Sequence, residues 1–339
     1  MKQKTKFTND IAISTRIRLA RNIVNIPFPT RANDDELLKV RQMILDAVSK
    51  CDVLEQEKFR YEDLDKISDA ERISLVERHL ISLDLGKYAH SSVLINKDET
   101  ISIMINEEDH IRIQCILSGF ALTEAYEIAN KLDDILQQDI SYSFSDKYGF
   151  LTSCPTNVGT GMRAGVMVHI PALVLKSELN RIVNMAGKYG LTVRGIYGEG
   201  SSALGDLFQV SNQNSLGLSE DEIIRNLHAI AKEVIKMERA ERNALLIENE
   251  DEIKDKVSRA YGLLTNAHMM SAQEAMKLLS LVRMGVDINI IDNVSVEKLN
   301  NLMINIQPAT LSLLYKVDVG EKTKDIYRAE YIHNILGSH

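Results

Sequence analysis

Long hydrophobic runs are missing from this 339-residue chain. The longest, AGVMVHIPALVL from Ala164 to Leu175, is broken by His169 and Pro171. It falls well short of the roughly 20 apolar residues that a helix needs to cross a bilayer. The first residues, MKQKTKFTND, have no apolar core, so no secretory signal is expected. Cysteine is scarce: Cys51, Cys115 and Cys154 are odd in number and widely scattered. That argues against a disulfide framework and against a thiol-based zinc site, and it suits a reducing, cytoplasmic compartment. Tryptophan is absent and there are only five prolines. Surplus basic charge is lacking too, with 40 Lys and Arg against 48 Asp and Glu, a net charge of -8. Nucleic acid and anionic membrane are therefore not expected as partners, whereas a cationic partner stays open. No internal repeat or low-complexity segment interrupts the chain.

What is present is the composition of a soluble globular protein, 45% hydrophobic and 26% charged, and too long for one compact core, so two domains are expected. Asn33 opens an N-x-x-E capping box before an apolar pattern at Leu37, Leu38, Ile44, Leu45 and Val48, which predicts a helix. Ser68 and Glu71 form a second box, and the helix that follows is expected to carry His79. Val93–Ile95, Ile101–Ile105, the alternation at Ile111, Ile113 and Cys115, Met162–Ile170, Leu191–Tyr197 and Leu204–Ser211 read as strands. Leu122, Ala125, Ala129, Leu132 and Leu136 recur at helical spacing, and Ser177–Lys188 reads as a helix stopped by Gly190. Because the strands come in close pairs, residues 1–218 are expected to form an α+β domain with an antiparallel sheet flanked by helices. From Ser219 the pattern turns helical, through Ile223, Leu227, Ile230, Val234 and Met237 to about Ile247, with another capping box at Ser271 and Glu274. Residues 219–339 are expected to be an all-helical C-terminal domain.

Four stretches are dense in arginine, carboxylates and glycine: STRIRLAR (Ser14–Arg21), NEEDHIR (Asn106–Arg112), CPTNVGTGMRAG (Cys154–Gly165) and RGIYGEGSS (Arg194–Ser202). The third resembles a phosphate loop but has no lysine and no GxxxxGK[ST], so it is not a P-loop. The alternation Thr15-Arg16-Ile17-Arg18-Leu19 places both arginines on one face of a strand. Taken singly, each stretch has an ordinary structural explanation: exposed arginines are usually solvated, a lone cysteine is usually a small buried hydrophobe, and His79, His110 and His169 could equally be packing residues. Together, Arg16, Arg18, Arg112, Arg163 and Arg194 are read at strand ends and glycine turns, where sites are built. Five converging guanidinium groups require a polyanion, and a nucleoside triphosphate with magnesium is a suitable one.

STRIRLAR, NEEDHIR, CPTNVGTGMR and RGIYGEGS, in that order over roughly residues 10–215, resemble the signature of the phosphagen (ATP:guanidino) kinase family. The resemblance implies transfer of the ATP γ-phosphoryl group to a guanidino nitrogen, with Mg²⁺ accompanying ATP. It implies that Arg16, Arg18, Arg112, Arg163 and Arg194 hold phosphates and that His79 lies against the adenine. It also implies that Glu108 and Glu199 grip the acceptor guanidinium and that Cys154 sits beside it.

Only thirteen residues precede Ser14, whereas the family's small-metabolite members carry a helical domain there. The layout is similar to the bacterial protein-arginine kinases of the family. This resemblance implies protein substrates with exposed arginines, a homodimer formed through the helical domain, and a setting in protein quality control with an activator and protease or chaperone machinery. TKDIYRAE (Thr323–Glu330) resembles a phosphoarginine-sensing motif of those enzymes. Lys324, Asp325 and Arg328 are the candidate sensing residues, with Lys324 standing where the motif has arginine. Met167 replaces a histidine common in small-guanidine members. Two other readings stay open: phosphorylation of a free small guanidine, and a non-catalytic phosphoarginine-binding adaptor. A dinucleotide-binding reading of Gly198, Gly200 and Gly205 fails, because no GxGxxG follows a first βα unit.

Overall fold

The computed structural model describes residues 10–50, 58–195, 204–317 and 319–337. Ten strands and ten α-helices are formed among them: β1 (Ala12–Arg21), α1 (Asp34–Ser49), β2 (Arg60–Asp63), α2 (Asp69–Glu77), β3 (Ser92–Ile95), β4 (Ile101–Ile105), β5 (Ile111–Ser118), α3 (Leu122–Asp139), β6 (Phe144–Ser145), β7 (Gly149–Phe150), β8 (Met162–His169), α4 (Pro171–Leu175), α5 (Leu179–Gly187), β9 (Leu191–Gly195), β10 (Leu207–Asn212), α6 (Glu220–Asn266), α7 (Ala272–Asp287), α8 (Val296–Asn305), α9 (Pro308–Tyr315) and α10 (Glu321–Leu336). Eight strands form one sheet in the order β2-β3-β4-β5-β1-β8-β10-β9, and every pairing is antiparallel. The expected α+β fold, a helix-flanked antiparallel sheet followed by a helical region, is what the chain adopts.

The helices begin where the sequence signals them. Reciprocal capping boxes start α1 at Asn33 and Glu36, α2 at Ser68 and Glu71, and α6 at Ser219 and Glu222. At Ser271 only the forward half forms, the serine side chain accepting from the Glu274 N–H.

Antiparallel register puts directly opposed residues on the same face of a sheet, so the two faces can be assigned residue by residue. Thr15, Ile17 and Leu19 face one way with Ile113, Cys115, Ala164, Val166 and Val210. This face forms the main core, closed by Leu122, Ala125, Ala129, Leu132 and Leu136 of α3 and by Ile223, Leu227, Ile230 and Val234 of α6. The first half of α6 thus packs on the sheet. A second core, from Leu245 through Leu336, lies within the helical region and takes in Ala172 and Leu207 from the sheet side.

Several expectations are corrected. The helix begun at Ser68 ends at Glu77, before His79, which has a left-handed backbone (φ 61). The strand expected from Leu204 begins at Leu207; Leu204–Asp206 is a 3₁₀ turn with Gly205 at φ 67. The helix expected to stop near Ile247 runs on to Asn266 through an irregularity at Asn249, where φ is -144. Beyond Gly195 the expected β9 strand passes outside the described residues.

Candidate functional site

The second face of the sheet is polar, and the register explains why five arginines share it. Arg16 and Arg18 are two residues apart on β1; Arg18 lies opposite Arg163 on β8, and Arg16 opposite Gly165. Arg112 on β5 is opposite Ala20, two residues beyond Arg18. Gln209 is opposite both Met167 and Arg194, which carries the same face to β9. The arginines were expected at strand ends and glycine turns. Arg16 and Arg18 instead occupy the middle of the central strand, and Arg112, Arg163 and Arg194 lie near strand ends.

Like charges directly opposed on a sheet are destabilising, and the electrostatics record this. Arg16 is pushed down to about 10, first by burial and then by Arg163 and Arg112. Arg18 is held well below the usual guanidinium value by burial, Arg16, Arg112 and Arg163, against a smaller opposing pull from Glu107. Burial, then Arg194 and Arg112, lower Arg163. The buried Nε of Arg18 has no hydrogen-bond partner. Arg112 is the balanced member: its Nη1 lies 2.5 Å from Glu107 Oε2 and its Nη2 2.6 Å from Glu108 Oε1.

Two glycines make close approaches that a side chain would prevent. A Cβ on Gly165 would meet Gln209 Nε2 at 2.5 Å. That gap lets Gln209 lie across β8 and accept a 2.6 Å hydrogen bond from Arg16 Nη2. Gly161 (φ 65) would collide with Ala20 O at 2.6 Å and Arg21 Nη1 at 2.6 Å. The third arginine of β1, Arg21, is structural: it bonds Asp133 (2.6 Å), donates to the carbonyls of Ala20 and Thr160, and stacks over Phe150.

The loop leading into β8 is aligned by a buried polar cluster. Asn22 Nδ2 donates to Asp109 Oδ1 (2.7 Å) and Leu151 O (3.0 Å), while Asp109 Oδ1 also accepts from the Ser153 N–H (2.7 Å). His110 Nδ1 accepts from the Ile23 N–H, so its Nε2–H donates to Pro27 O; burial lowers its pKa to about 4. His110 therefore supports the loop as a neutral imidazole. Beyond Ser153, the half-buried Cys154 thiol lies 3.0 Å from Thr156 Oγ1. Asn157 Nδ2 donates to Glu108 Oε1 at 3.3 Å. A cleft of about 210 Å³ is lined by Arg18, Glu108, Arg112, Cys154, Asn157 and Arg163, among others. Five of the expected site residues thus meet in one place.

His79 is nearby, bordering a small gap with Arg16, Met167 and Gln209. Burial and Arg16 lower its pKa to about 4. Arg194 Nε reaches Thr192 Oγ1 at 3.4 Å. Glu199 lies outside the described residues. Lys324, Asp325 and Arg328 do not line the cleft and do not form one open anion site. Arg328 is buried, its Nε donating to Ile306 O (2.8 Å) and its Nη1 to Met270 O (2.9 Å) and to Asp325. Lys324 pairs with Glu321 at 3.3 Å and borders a groove between α2 and α9. His169 is also structural, buried where it bonds Ser280 Oγ at 2.8 Å. The contributions of Gln209, Asn157, Glu107 and the Asn22–Asp109 pair were not anticipated. Glu107 and Asp109 had a signal as the neighbours of Glu108 in NEEDHIR, and Asn157 as a member of CPTNVGTGMR; Gln209 and Asn22 had none.

With this geometry in hand, comparison with known proteins decides the family. The family model "ATP:guanido phosphotransferase, C-terminal catalytic domain" matches residues 39–241. The chain belongs to the ATP:guanido phosphotransferase family. A second model, "Protein-arginine kinase McsB C-terminal domain", matches residues 250–339. A curated relative from Caldanaerobacter subterraneus subsp. tengcongensis, named protein-arginine kinase, is 44% identical over 98% of both chains. Another of that name, from Bacillus subtilis, is 44% identical over 99% of this chain and 92% of its own. Among solved structures, the duplicated taurocyamine kinase of Schistosoma mansoni superposes with a TM-score of 0.62 at 28% identity, covering 69% of this chain and 34% of that one. Membership makes the chain a phosphotransferase that uses ATP. No described helix is long and apolar enough to cross a membrane.

Proposed function

We propose that this phosphotransferase is a protein-arginine kinase, moving the γ-phosphoryl group of ATP onto arginine side chains of protein substrates. The observation that carries the reading is the under-neutralised arginine face ending at the cleft where Glu108 and Cys154 meet. The relatives' shared name and the match over the helical region favour a protein over a free guanidine as acceptor.

Arg16, Arg18, Arg163 and Arg194 hold the triphosphate, each charge-assisted contact contributing about 1.5–3 kcal/mol, while Arg112, expected to join them, is held by Glu107 and Glu108. ATP enters as its magnesium complex. Among the described residues no group of three or more His, Cys, Asp or Glu could hold a metal ion unaided. Mg²⁺ generally binds through phosphates, waters and one or two carboxylates, which suits an ion carried in on the nucleotide. The acceptor is a cation whose full deprotonation at pH 7 costs roughly 7–9 kcal/mol. Glu108 aligns it and takes its proton as transfer proceeds. Its Oε1 is engaged by Arg112 and Asn157, and its Oε2 has no partner among the described residues. The guanidino nitrogen bonds to the γ-phosphorus, the bond to the β,γ-bridging oxygen breaks, ADP leaves, and the proton goes to the carboxylate. Glu199 is the proposed second carboxylate, and Cys154 flanks the acceptor.

The proposal includes a cytoplasmic homodimer working in protein quality control with an activator and protease or chaperone partners. Phosphoarginine sensing by the Lys324 segment runs through the groove beside Lys324 rather than through the buried Arg328. To test the reading, the protein is incubated with Mg-ATP and either free arginine or an unfolded arginine-rich protein, with Glu108→Gln as control. The expected result is acid-labile phosphate on the protein acceptor alone, reduced by about 10³-fold in the variant, within the range for loss of a general base. Phosphate on free arginine alone would contradict it.

A further inference from the structure

The arginine face does not stop at Arg16. Ser14 and Met167 continue it on β1 and β8, and there the helical region closes over the sheet to leave a second cleft of about 390 Å³. Ser14 and His79 border both this cleft and the gap that holds Arg16. One face of the sheet therefore runs from the cleft of Glu108 and Cys154 along Arg18 and Arg16 to the second cleft. From Arg18 to Ser14 is four strand residues, roughly 13 Å at the usual strand rise, a distance that an extended nucleoside triphosphate covers.

The two walls of this cleft differ in chemistry. The sheet side offers Ile116, Met167 and Leu207; the helical side offers Met303 and Ile304 with the amides of Asn300, Asn305 and Gln307. Each amide is oriented by a bond made elsewhere. Asn300 Oδ1 accepts from Arg283 Nε at 2.9 Å, which leaves its NH₂. Asn305 Nδ2 donates to Tyr331 OH at 3.0 Å and Gln307 Nε2 to Met303 O at 2.8 Å, so each leaves a carbonyl oxygen. An apolar slot with one oriented donor and two oriented acceptors has the character of a heteroaromatic ligand site. A purine carrying an exocyclic amine matches it.

The helical wall is also tied to the site. Glu77, at the end of α2, accepts the N–H groups of Ala309 and Thr310 (3.0 and 2.7 Å) and the Thr310 hydroxyl (2.7 Å). Gln307, which caps the same helix, is thereby joined to the segment that delivers His79 two residues later.

We infer that the segment Asn300–Gln307 forms the second wall of the base subsite, so that the nucleotide binds between the sheet and the helical region. This rests on the ATP reading above. It makes the helical region a direct participant in nucleotide recognition.

Calorimetric titration of the full chain with Mg-ATP and with magnesium tripolyphosphate tests it. Asn301→Trp places a bulky ring at an exposed position on the cleft rim, and Asn305→Leu removes an acceptor. Both are expected to weaken ATP by about tenfold or more, the scale of one lost hydrogen bond, with tripolyphosphate binding unchanged. Met167→Trp, on the sheet wall, is expected to do the same. If Met167→Trp weakens ATP while both helical variants bind it normally, the base lies on the sheet alone and the inference falls, although the ATP reading stands. If the wild type binds neither ligand, both fall together.

Discussion

Arg242 sits where α6 crosses the end of the sheet, and its charge is answered on every side. Its Nε lies 2.7 Å from Glu238, its Nη1 2.8 Å from Asp287, and its Nη2 3.2 Å from His169 O. Burial opposes the charge, but Glu238 and Asp287 outweigh it and hold Arg242 above the ordinary value. Arg18 is half-buried, with its Nε withdrawn from solvent, but it faces Arg163 across the strand, and among the described residues no carboxylate lies within ion-pair distance. One guanidinium arrives in the folded protein already matched; the other is left to be matched by a ligand. The contrast separates structural arginines from binding arginines: Arg21 and Arg328, with their bonds internally committed, belong with Arg242. Arg16 and Arg163 belong with Arg18. Arg283 lies between, with a carboxylate at 3.2 Å yet lowered to about 10, burial being the largest cause.

The largest effect that can break this comparison is on stability. Arg242→Leu strands Glu238, which is 0% exposed, beside Asp287. Losing one member of a buried pair costs about 3–5 kcal/mol. Denaturant unfolding should show a loss of that size; an unchanged midpoint would place Arg242 with the dispensable surface charges. A smaller effect concerns the neutral histidines. His110 is lowered to about 4 in the fold, against about 6.5 unfolded. As pH falls through that window the unfolded chain takes up a proton that the native one refuses, so stability declines with acid, by up to about 1.4 kcal/mol per pH unit from this group. His110→Gln should flatten the stability profile between pH 6.5 and about 4. An identical slope in wild type and variant would mean that His110 titrates normally.

Much of this was readable in advance, and what was not has a common cause. Alternation alone placed Arg16 and Arg18 on one face, and capping boxes located three helix starts. The opposition of Arg18 to Arg163 depends on the register between strands far apart in sequence, which no local pattern encodes. Gln209 is a neutral amide outside every motif, and its importance appears only once Gly165 opens the way for it; Asn157 stands inside CPTNVGTGMR, but its bond to Glu108 appears only when the loop after Cys154 is folded. His79 sits in a helical pattern, but α2 ends as its carboxyl terminus turns to meet α9. The motif containing Arg328 signalled charge; tertiary packing turned that charge inward onto the carbonyls of Ile306 and Met270.

The central claim, that the unmatched arginines exist to be neutralised by nucleotide, is tested most directly by the stability of Arg18→Gln with and without saturating Mg-ATP. Removing a half-buried cation that faces another arginine and has no counter-charge should leave the free protein as stable as the wild type, or more so. It should also erase about 1.5–3 kcal/mol of the stabilisation that nucleotide confers. A variant that is destabilised when free, yet gains as much from Mg-ATP as the wild type, would show that Arg18 is a structural arginine like Arg242 and would contradict the account.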